Sequence, residues 1–213
     1  MALFRNLTCL IVGIGALLMS NVSRAGDGGF AGGSFTCLEY TNGLGDNSSG
    51  RVQSAIAKLW VQGFMAGFYT GKKTIEFSDE PGASQDLDAL LESRCRAFPQ
   101  ASILSIAIAR IVSDPRKVPG KALGGFTPAT YTCGQHLDGK GGTAAAANAA
   151  DIAELWAFAF IQGFKTVGNA DVEIQSEFKG PLVNAVNKGC SSNRDKPYID
   201  YVALVAERVK IAE

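Results

Sequence analysis

The stretch IAKLWVQGFMAGF at residues 56–68 returns as IAELWAFAFIQGF at residues 152–164, an offset of 96 residues. The pair Thr36-Cys37 matches Thr132-Cys133 at the same offset. Because an unbroken register over so long a span rarely arises by chance, it indicates that one unit of sequence occurs twice in tandem. The repeat therefore predicts an architecture, whereas it says little about an activity.

Each copy of this stretch has the hydrophobic spacing of a helix. Between about residues 51 and 70 the apolar side chains fall three and four positions apart, which places them on one stripe. The second copy repeats the stripe after an alanine-rich run, which has high helix propensity. We expect two shorter helices to follow in each copy, at about residues 84–96 and 181–188 and then from Pro99 and Pro197 onward. The segments between the first two helices, residues 74–77 and 171–174, are expected to be extended connectors.

Four cysteines follow the N-terminal region, and their spacing repeats as well. Cys37 and Cys95 are 58 residues apart, and Cys133 and Cys190 are 57 apart. Four cysteines allow three pairings, and the duplication selects the one in which each copy closes its own bond. No Cys-x-x-Cys occurs, so redox catalysis and zinc binding have no support.

These patterns predict an all-α protein made of two tandem three-helix modules, each closed by one disulfide. We assign residues 1–25 to a signal peptide, 26–113 to the first module, 114–130 to a linker rich in proline and glycine, and 131–213 to the second module. The modules are expected to pack on each other as an intramolecular pseudo-dimer.

The N-terminus has the three parts of a secretory signal. Basic Arg5 precedes an apolar run, and small residues lead to a cleavage site after Ala25. The run is shorter than the roughly 20 residues of a membrane-spanning helix, and no later segment is long and uncharged enough to be a second candidate. The signal predicts a periplasmic or secreted protein, in a compartment where disulfides persist.

The charge balance gives no reason to expect nucleic acid as a partner. The chain has 20 basic and 20 acidic residues, and removing Arg5 and Arg24 with the signal leaves a formal charge of −2. Binding to DNA, RNA or an anionic membrane surface would call for a clustered basic patch.

Residues that could carry catalysis are few, and we predict no enzyme, no cofactor and no metal. His136 has no histidine counterpart in the first copy, which favours a solvated loop residue, with a minor sensing role as the alternative because histidine titrates near neutral pH. The segment Gly139-Lys140-Gly141-Gly142-Thr143 lacks the full spacing of a phosphate-binding loop. The acidic cluster is explained by the start of a helix, although a carboxylate-based enzyme stays open as an alternative. That cluster consists of Asp79, Glu80, Asp86 and Asp88.

The strongest candidates for a binding face lie on the two long helices. Their aromatic residues fit either a buried core, which we favour, or a surface for protein or peptide clients. The glycines among them fit close helix packing, with a ligand groove as the alternative. The candidates are Trp60, Gly63, Phe64, Gly67, Phe68, Trp156, Phe160, Gly163 and Phe164.

A resemblance to a known family rests on a few of these residues. An early Thr-Cys, a Trp-x-x-Gly/Ala-Phe followed by Gly-Phe, and a cysteine shortly before a proline together resemble the HdeA-type periplasmic acid-stress chaperones of Gram-negative bacteria. The resemblance covers roughly residues 36–112 and 132–210. It implies an envelope-stress chaperone that dimerises at neutral pH and opens in acid to hold unfolding clients. The pattern is also similar to that of Rap1a-type periplasmic immunity proteins, which neutralise secreted toxins. The carrying residues are Cys37, Trp60, Gly63, Cys95, Cys133, Trp156 and Cys190.

Overall fold

A computed structural model of the chain describes residues 30–45, 48–113, 117–123, 126–169 and 173–210. The predicted signal peptide lies outside these residues. Within them the chain is mostly helical, which confirms the predicted class. The N-terminal half contains α1 (Cys37–Gly45), α2 (Ser48–Gly71), α3 (Pro81–Ala97) and α4 (Ile103–Ser113). The C-terminal half contains α5 (Cys133–Gly139), α6 (Ala144–Lys165), α7 (Lys179–Ser191) and α8 (Tyr198–Arg208).

Each half has four helices where three were predicted, because the repeated Thr-Cys opens a short helix. The Thr132 hydroxyl accepts a hydrogen bond from the Gln135 amide at 3.2 Å, and the Gln135 side chain accepts one from the Thr132 amide at 2.8 Å. Thr36 and Glu39 form the same reciprocal pair. Such a capping box satisfies N–H groups that the first turn of a helix leaves free. It therefore starts α1 and α5 at the cysteines.

The last helix of the N-terminal half begins later than predicted, at Ile103 rather than at Pro99. The carbonyl oxygens of Pro99 and Ala101 each accept a hydrogen bond of 2.8 Å, from the amides of Leu38 and Cys37 respectively. This segment thus satisfies the free N–H groups at the start of α1 and cannot also be helical. In the C-terminal half Pro197 is the N-cap residue of α8, one position before the helix.

Both predicted disulfides are present. Cys37 is bonded to Cys95, and Cys133 is bonded to Cys190. All four cysteines are fully buried. Each bond joins the first turn of a short helix to the end of the third helix of the same half, so neither bond crosses between the halves.

The predicted connector and linker pair with each other. β1 (Glu76–Ser78) and β2 (Lys117–Pro119) form a two-stranded parallel sheet. The Gln62 side-chain amide on α2 donates to the Pro119 carbonyl and, at 3.2 Å, to the Lys121 carbonyl. Further along, the Phe126 ring lies 5.8 Å from that of Trp156 on α6. Residues 76–78 are therefore extended, as predicted for the first connector, and their strand partner lies in the segment assigned to the linker.

Helices α2 and α6 pack directly on each other and form the centre of the molecule. Gly63 faces Ala159, and Gly71 faces Val167, so the two helices run side by side in the same direction. A Cβ atom at Gly67 would overlap the carbonyl oxygen of Phe160 on the other helix. The glycines therefore allow the two backbones to touch, as the packing interpretation predicts.

Removing one disulfide should cost about 4 kcal/mol of unfolding free energy, because each bond closes a loop of nearly 60 residues. The test is urea denaturation of the Cys133→Ser/Cys190→Ser double variant against the parent, followed by far-UV circular dichroism. Non-reducing peptide mapping should recover only the two bonds within the halves. A cross-linked peptide containing Cys37 and Cys133 would contradict the structure.

Candidate functional site

The aromatic residues predicted as a binding face lie mostly inside the protein. Trp60, Phe64, Trp156 and Phe160 are buried, and only Phe68 and Phe164 are half-buried. Within each helix the tryptophan ring lies 5.3 Å from the phenylalanine ring one turn on. Gly63, Gly67 and Gly163 are buried in the same contact. These residues therefore belong mostly to the core of the protein.

His136 was predicted to be a solvated loop residue, and this prediction is wrong. It lies on α5 with an exposed fraction of 0 %. The helix begins at Cys133, so His136 sits one turn further on and faces inward beside the disulfide. The residue at the matching position of the N-terminal half is Tyr40, which is also buried on its helix. The position is thus a core position in both halves, whatever residue occupies it.

Around His136 lies a group of polar side chains that we call the histidine cluster. It consists of His136, Glu154, Asn187, Tyr131 and Tyr198. The His136 Nε2 atom lies 2.8 Å from Asn187 Oδ1 and 3.7 Å from Glu154 Oε1. The Tyr198 ring lies against the imidazole at 4.4 Å between ring centres, and the Tyr131 ring lies at 6.2 Å. Several segments of the C-terminal half, including α5, α6, α7 and α8, thus converge on one histidine.

The cluster contains buried polar atoms with no hydrogen-bond partner among the described residues. They are Nδ1 of His136 and the hydroxyl oxygens of Tyr131 and Tyr198. Burial and the charge of Glu154 raise the pKa of Tyr131 to about 12, and burial raises the pKa of Tyr198 as well. Burial also lowers the pKa of His136. Each shift favours the neutral form, so the cluster resists charging its rings.

A small cavity lies beside the histidine cluster, between α6 and α7. It measures about 210 Å³, and Glu154 and Asn187 line it together with Lys140 and Lys179. The Lys140 ammonium is 2.5 Å from Glu154 Oε1, so the carboxylate next to the histidine already has a cationic partner. The lining carries both signs of charge and reaches solvent, whereas the histidine behind it does not.

The matching positions of the N-terminal half carry different polar groups. Lys58 occupies the place of Glu154, and its ammonium reaches across to α3. There it lies 2.6 Å from an Asp88 carboxylate oxygen and 2.9 Å from the Ser84 hydroxyl. Burial, then Asp88 and Glu92, raise the pKa of Tyr40 to about 12. The histidine cluster therefore exists in one half only.

The acidic residues of the N-terminal half have separate surroundings. Asp88 pairs with Lys58, and Glu80 pairs with Lys117 at 3.2 Å. Asp86 lines a shallow cleft that also contains Arg110, and Asp79 lies beside the backbone of Gly120.

The segment Gly139–Thr143 joins α5 to α6. Gly139 is the last residue of α5. The Thr143 hydroxyl accepts a hydrogen bond from the Ala146 amide at 3.3 Å and so caps α6. Lys140, the only cation of this segment, is paired with Glu154.

Sequence reasoning missed the histidine cluster, although part of its signal is readable. Thr132 and Gln135 have the spacing of a capping box, which places a helix over His136. The offset of 96 residues aligns His136 with Tyr40, an aromatic residue. The approach of Asn187 and Tyr198, more than 50 residues away in sequence, has no such signal.

One helix of the described chain, α6, has the length and apolar composition of a membrane-spanning segment, and 56 % of its most apolar window is buried. The expectation that no later segment would meet these criteria is wrong in that respect. The same properties are typical of the core helix of a soluble protein. Across residues 30–210, apart from the undescribed gaps, no group of three potential metal-ligating side chains is found.

The chain matches no protein-family model, and comparisons with curated proteins and with solved structures give no match.

The contact between α2 and α6 is open to a direct test with Gly67→Ala. The added methyl group must push the two backbones apart, which costs about 3 kcal/mol, and better helix propensity returns about 1 kcal/mol. We expect the free energy of unfolding to fall by about 2 kcal/mol in urea denaturation.

Gly82→Ala is the matched control, because Gly82 also lies in a helix and a Cβ atom there would meet no other atom within 4 Å. It should leave stability unchanged or raise it slightly. Equal stabilities of the two variants would show that the helices do not touch at Gly67.

Proposed function

We propose that the two halves are copies of one module, paired within one chain, and that the protein is a non-enzymatic binding protein of the periplasm or extracellular space. It holds unfolded polypeptides on the aromatic faces of α2 and α6 when that pair loosens. The resemblance to acid-stress chaperones motivates the proposal, and the predicted N-terminal signal and the two disulfides fit the compartment.

The contact between α2 and α6 is the observation that carries this proposal. Gly67 faces the carbonyl oxygen of Phe160, and Gly163 faces that of Phe64. These two contacts become the same contact when the halves are exchanged, since each residue lies 96 positions from its counterpart. Such a reciprocal pattern is typical of a two-fold symmetric dimer interface. A dimer fused into one chain can separate at this interface and close again at high effective concentration.

Separation would expose an apolar surface suited to unfolded chains. Phe64 and Phe160 lie at this interface through their backbones, and Phe68 and Phe164 already extend the stripe toward solvent. Trp60 and Trp156 would become accessible when Phe30 and Phe126, which lie against them, move as well. Large flat rings bind varied apolar side chains without a defined sequence. The disulfides would keep each half folded during opening, because neither of them bridges the halves.

Acid supplies a force for separation. Full protonation of the 20 carboxylates would move the formal charge of the mature chain from near −2 to near +19, counting His136. Repulsion between like charges then opposes the compact arrangement. An immunity protein, the competing proposal, would bind one toxin at neutral pH and would need no opening.

The test is suppression of aggregation by the purified mature protein, measured as light scattering of an acid-denatured client enzyme between pH 2 and 7. We expect the parent and Gly82→Ala to suppress aggregation only in acid. Gly67→Ala should do so at pH 7 as well, because it separates the helices without acid.

Absence of suppression by the parent and by Gly67→Ala at every pH would refute client holding. Affinity capture from periplasm at pH 7 then decides the alternative. One partner captured in stoichiometric amount, with nanomolar affinity on remixing, would support the immunity function.

A further inference from the structure

We propose that His136 is a one-sided pH trigger, whose protonation loosens the C-terminal half in mild acid while the N-terminal half stays closed. The inference deepens the proposed function, on which it rests for the use made of the opened state. It adds a loosening within the C-terminal half, distinct from the separation of α2 from α6, and it names the pH range and the side chain that cause this loosening. It is carried by the geometry of the histidine cluster.

The hydrogen bond to Asn187 fixes which nitrogen of His136 carries the proton. Nε2 lies 2.8 Å from the Asn187 Oδ1 atom, which can only accept, so Nε2–H is the donor. Nδ1 has no partner among the described residues, and it is the bare nitrogen when the ring is neutral. Burial lowers the pKa of His136 and so favours this neutral ring, which is bonded on one side only.

Protonation would place a second N–H group at Nδ1, where no described residue offers an acceptor within hydrogen-bond distance. The ring has an exposed fraction of 0 %, and the Tyr198 ring lies 4.4 Å from it at a tilt of 36°. Burying the charge costs free energy, and leaving the new N–H group without an acceptor costs more. The closed state can take the proton only at a free-energy cost that an opened state avoids.

The neighbouring charges only partly compensate for this. From α6, Glu154 at 3.7 Å and the more distant Asp151 favour the charged ring. Lys140, at the end of α5, disfavours the charged ring and also forms an ion pair with the Glu154 carboxylate. From α7 the ring meets the neutral Asn187, and from α8 and the segment before α5 it meets the hydroxyl-bearing rings of two tyrosines.

Burial outweighs these attractions, and the pKa of His136 in the closed state is lowered. A solvated histidine has a pKa of about 6.5. The open state therefore binds more protons than the closed state below about pH 6.5, and the stability of the closed state is lost as pH falls through this region. Because one proton is involved, the opening equilibrium should rise about tenfold per pH unit until the lowered pKa is reached.

The described part of the N-terminal half has no such trigger. Tyr40 takes the place of His136, and its pKa of about 12 keeps it neutral throughout this range. The two halves should consequently respond differently to the same mild acid, well above the pH at which most carboxylates are protonated.

The experiment is hydrogen exchange with mass spectrometry on the full mature protein between pH 7.5 and 5, corrected for the pH dependence of intrinsic exchange. In the parent, the opening of α5 and α8 should increase as pH falls below about 6.5, by up to tenfold per pH unit, and the opening of α1 and α4 should not. His136→Tyr, which installs the residue of the other half, should abolish this slope.

Asn187→Asp is the second variant, and it decides the matter if His136→Tyr fails to fold. The carboxylate is nearly identical in shape to the amide and would pair with the protonated ring, so the slope should flatten or reverse. A slope that persists in both variants, or no slope in the parent above pH 5, would overturn the assignment to His136.

Aggregation of the client is measured on the same samples at pH 5.5. Opening that depends on His136 without client holding would remove the proposed function and leave the trigger. Client holding in acid that is equal in the parent and in His136→Tyr would remove the trigger and support the proposed function.

Discussion

The rest of the structure depends on the approach of two helix backbones at the glycines of α2 and α6. Side chains normally hold packed helices about 8–10 Å apart. At Gly67 and Gly163 the missing Cβ atoms let each helix meet a carbonyl oxygen of the other. Once the axes are this close, the aromatic rings beside the contact have no route to solvent. The two tryptophans are buried with the help of other segments, since Phe30 and Gly32 lie against Trp60 and Phe126 lies against Trp156.

No disulfide among the described residues joins the two halves, so this central contact holds them together by packing alone. Cys37–Cys95 and Cys133–Cys190 each close one half. The contacts that join the halves include the packing of α2 on α6 and the approach of Glu173 to Gly33. The segment between the halves adds hydrogen bonds from Gln62 to Pro119 and Lys121 and the contact of Phe126 with Trp156. The disulfides thus stabilise each half alone, whereas the buried apolar residues of both halves form one continuous core.

The sequence predicts those features of the structure that arise from local patterns or from the repeat, and it misses contacts between distant segments. The long helices and both disulfides follow from periodicity and from the offset of 96 residues. The short helices were missed although their capping boxes are local. The pairing of β1 with β2 has no sequence signal, because three-residue strands show no periodicity and their partners are about 40 positions apart. A histidine without a counterpart in the other copy suggests a solvated residue. The burial of His136 follows instead from its alignment with Tyr40, which is a core residue.

The polar residues near the core differ between the halves in a coordinated way. Where Lys58 reaches Asp88 on the third helix, Glu154 instead pairs with Lys140 at the end of the short helix. A buried or half-buried charge cannot change sign alone, because the old partner would be left unpaired. In the C-terminal half the cationic partner, Lys140, lies at the end of α5, and Glu154 lines the cavity between α6 and α7. The two halves share their apolar packing and differ in their polar pairs. Only the C-terminal half places a carboxylate and an amide beside a buried histidine.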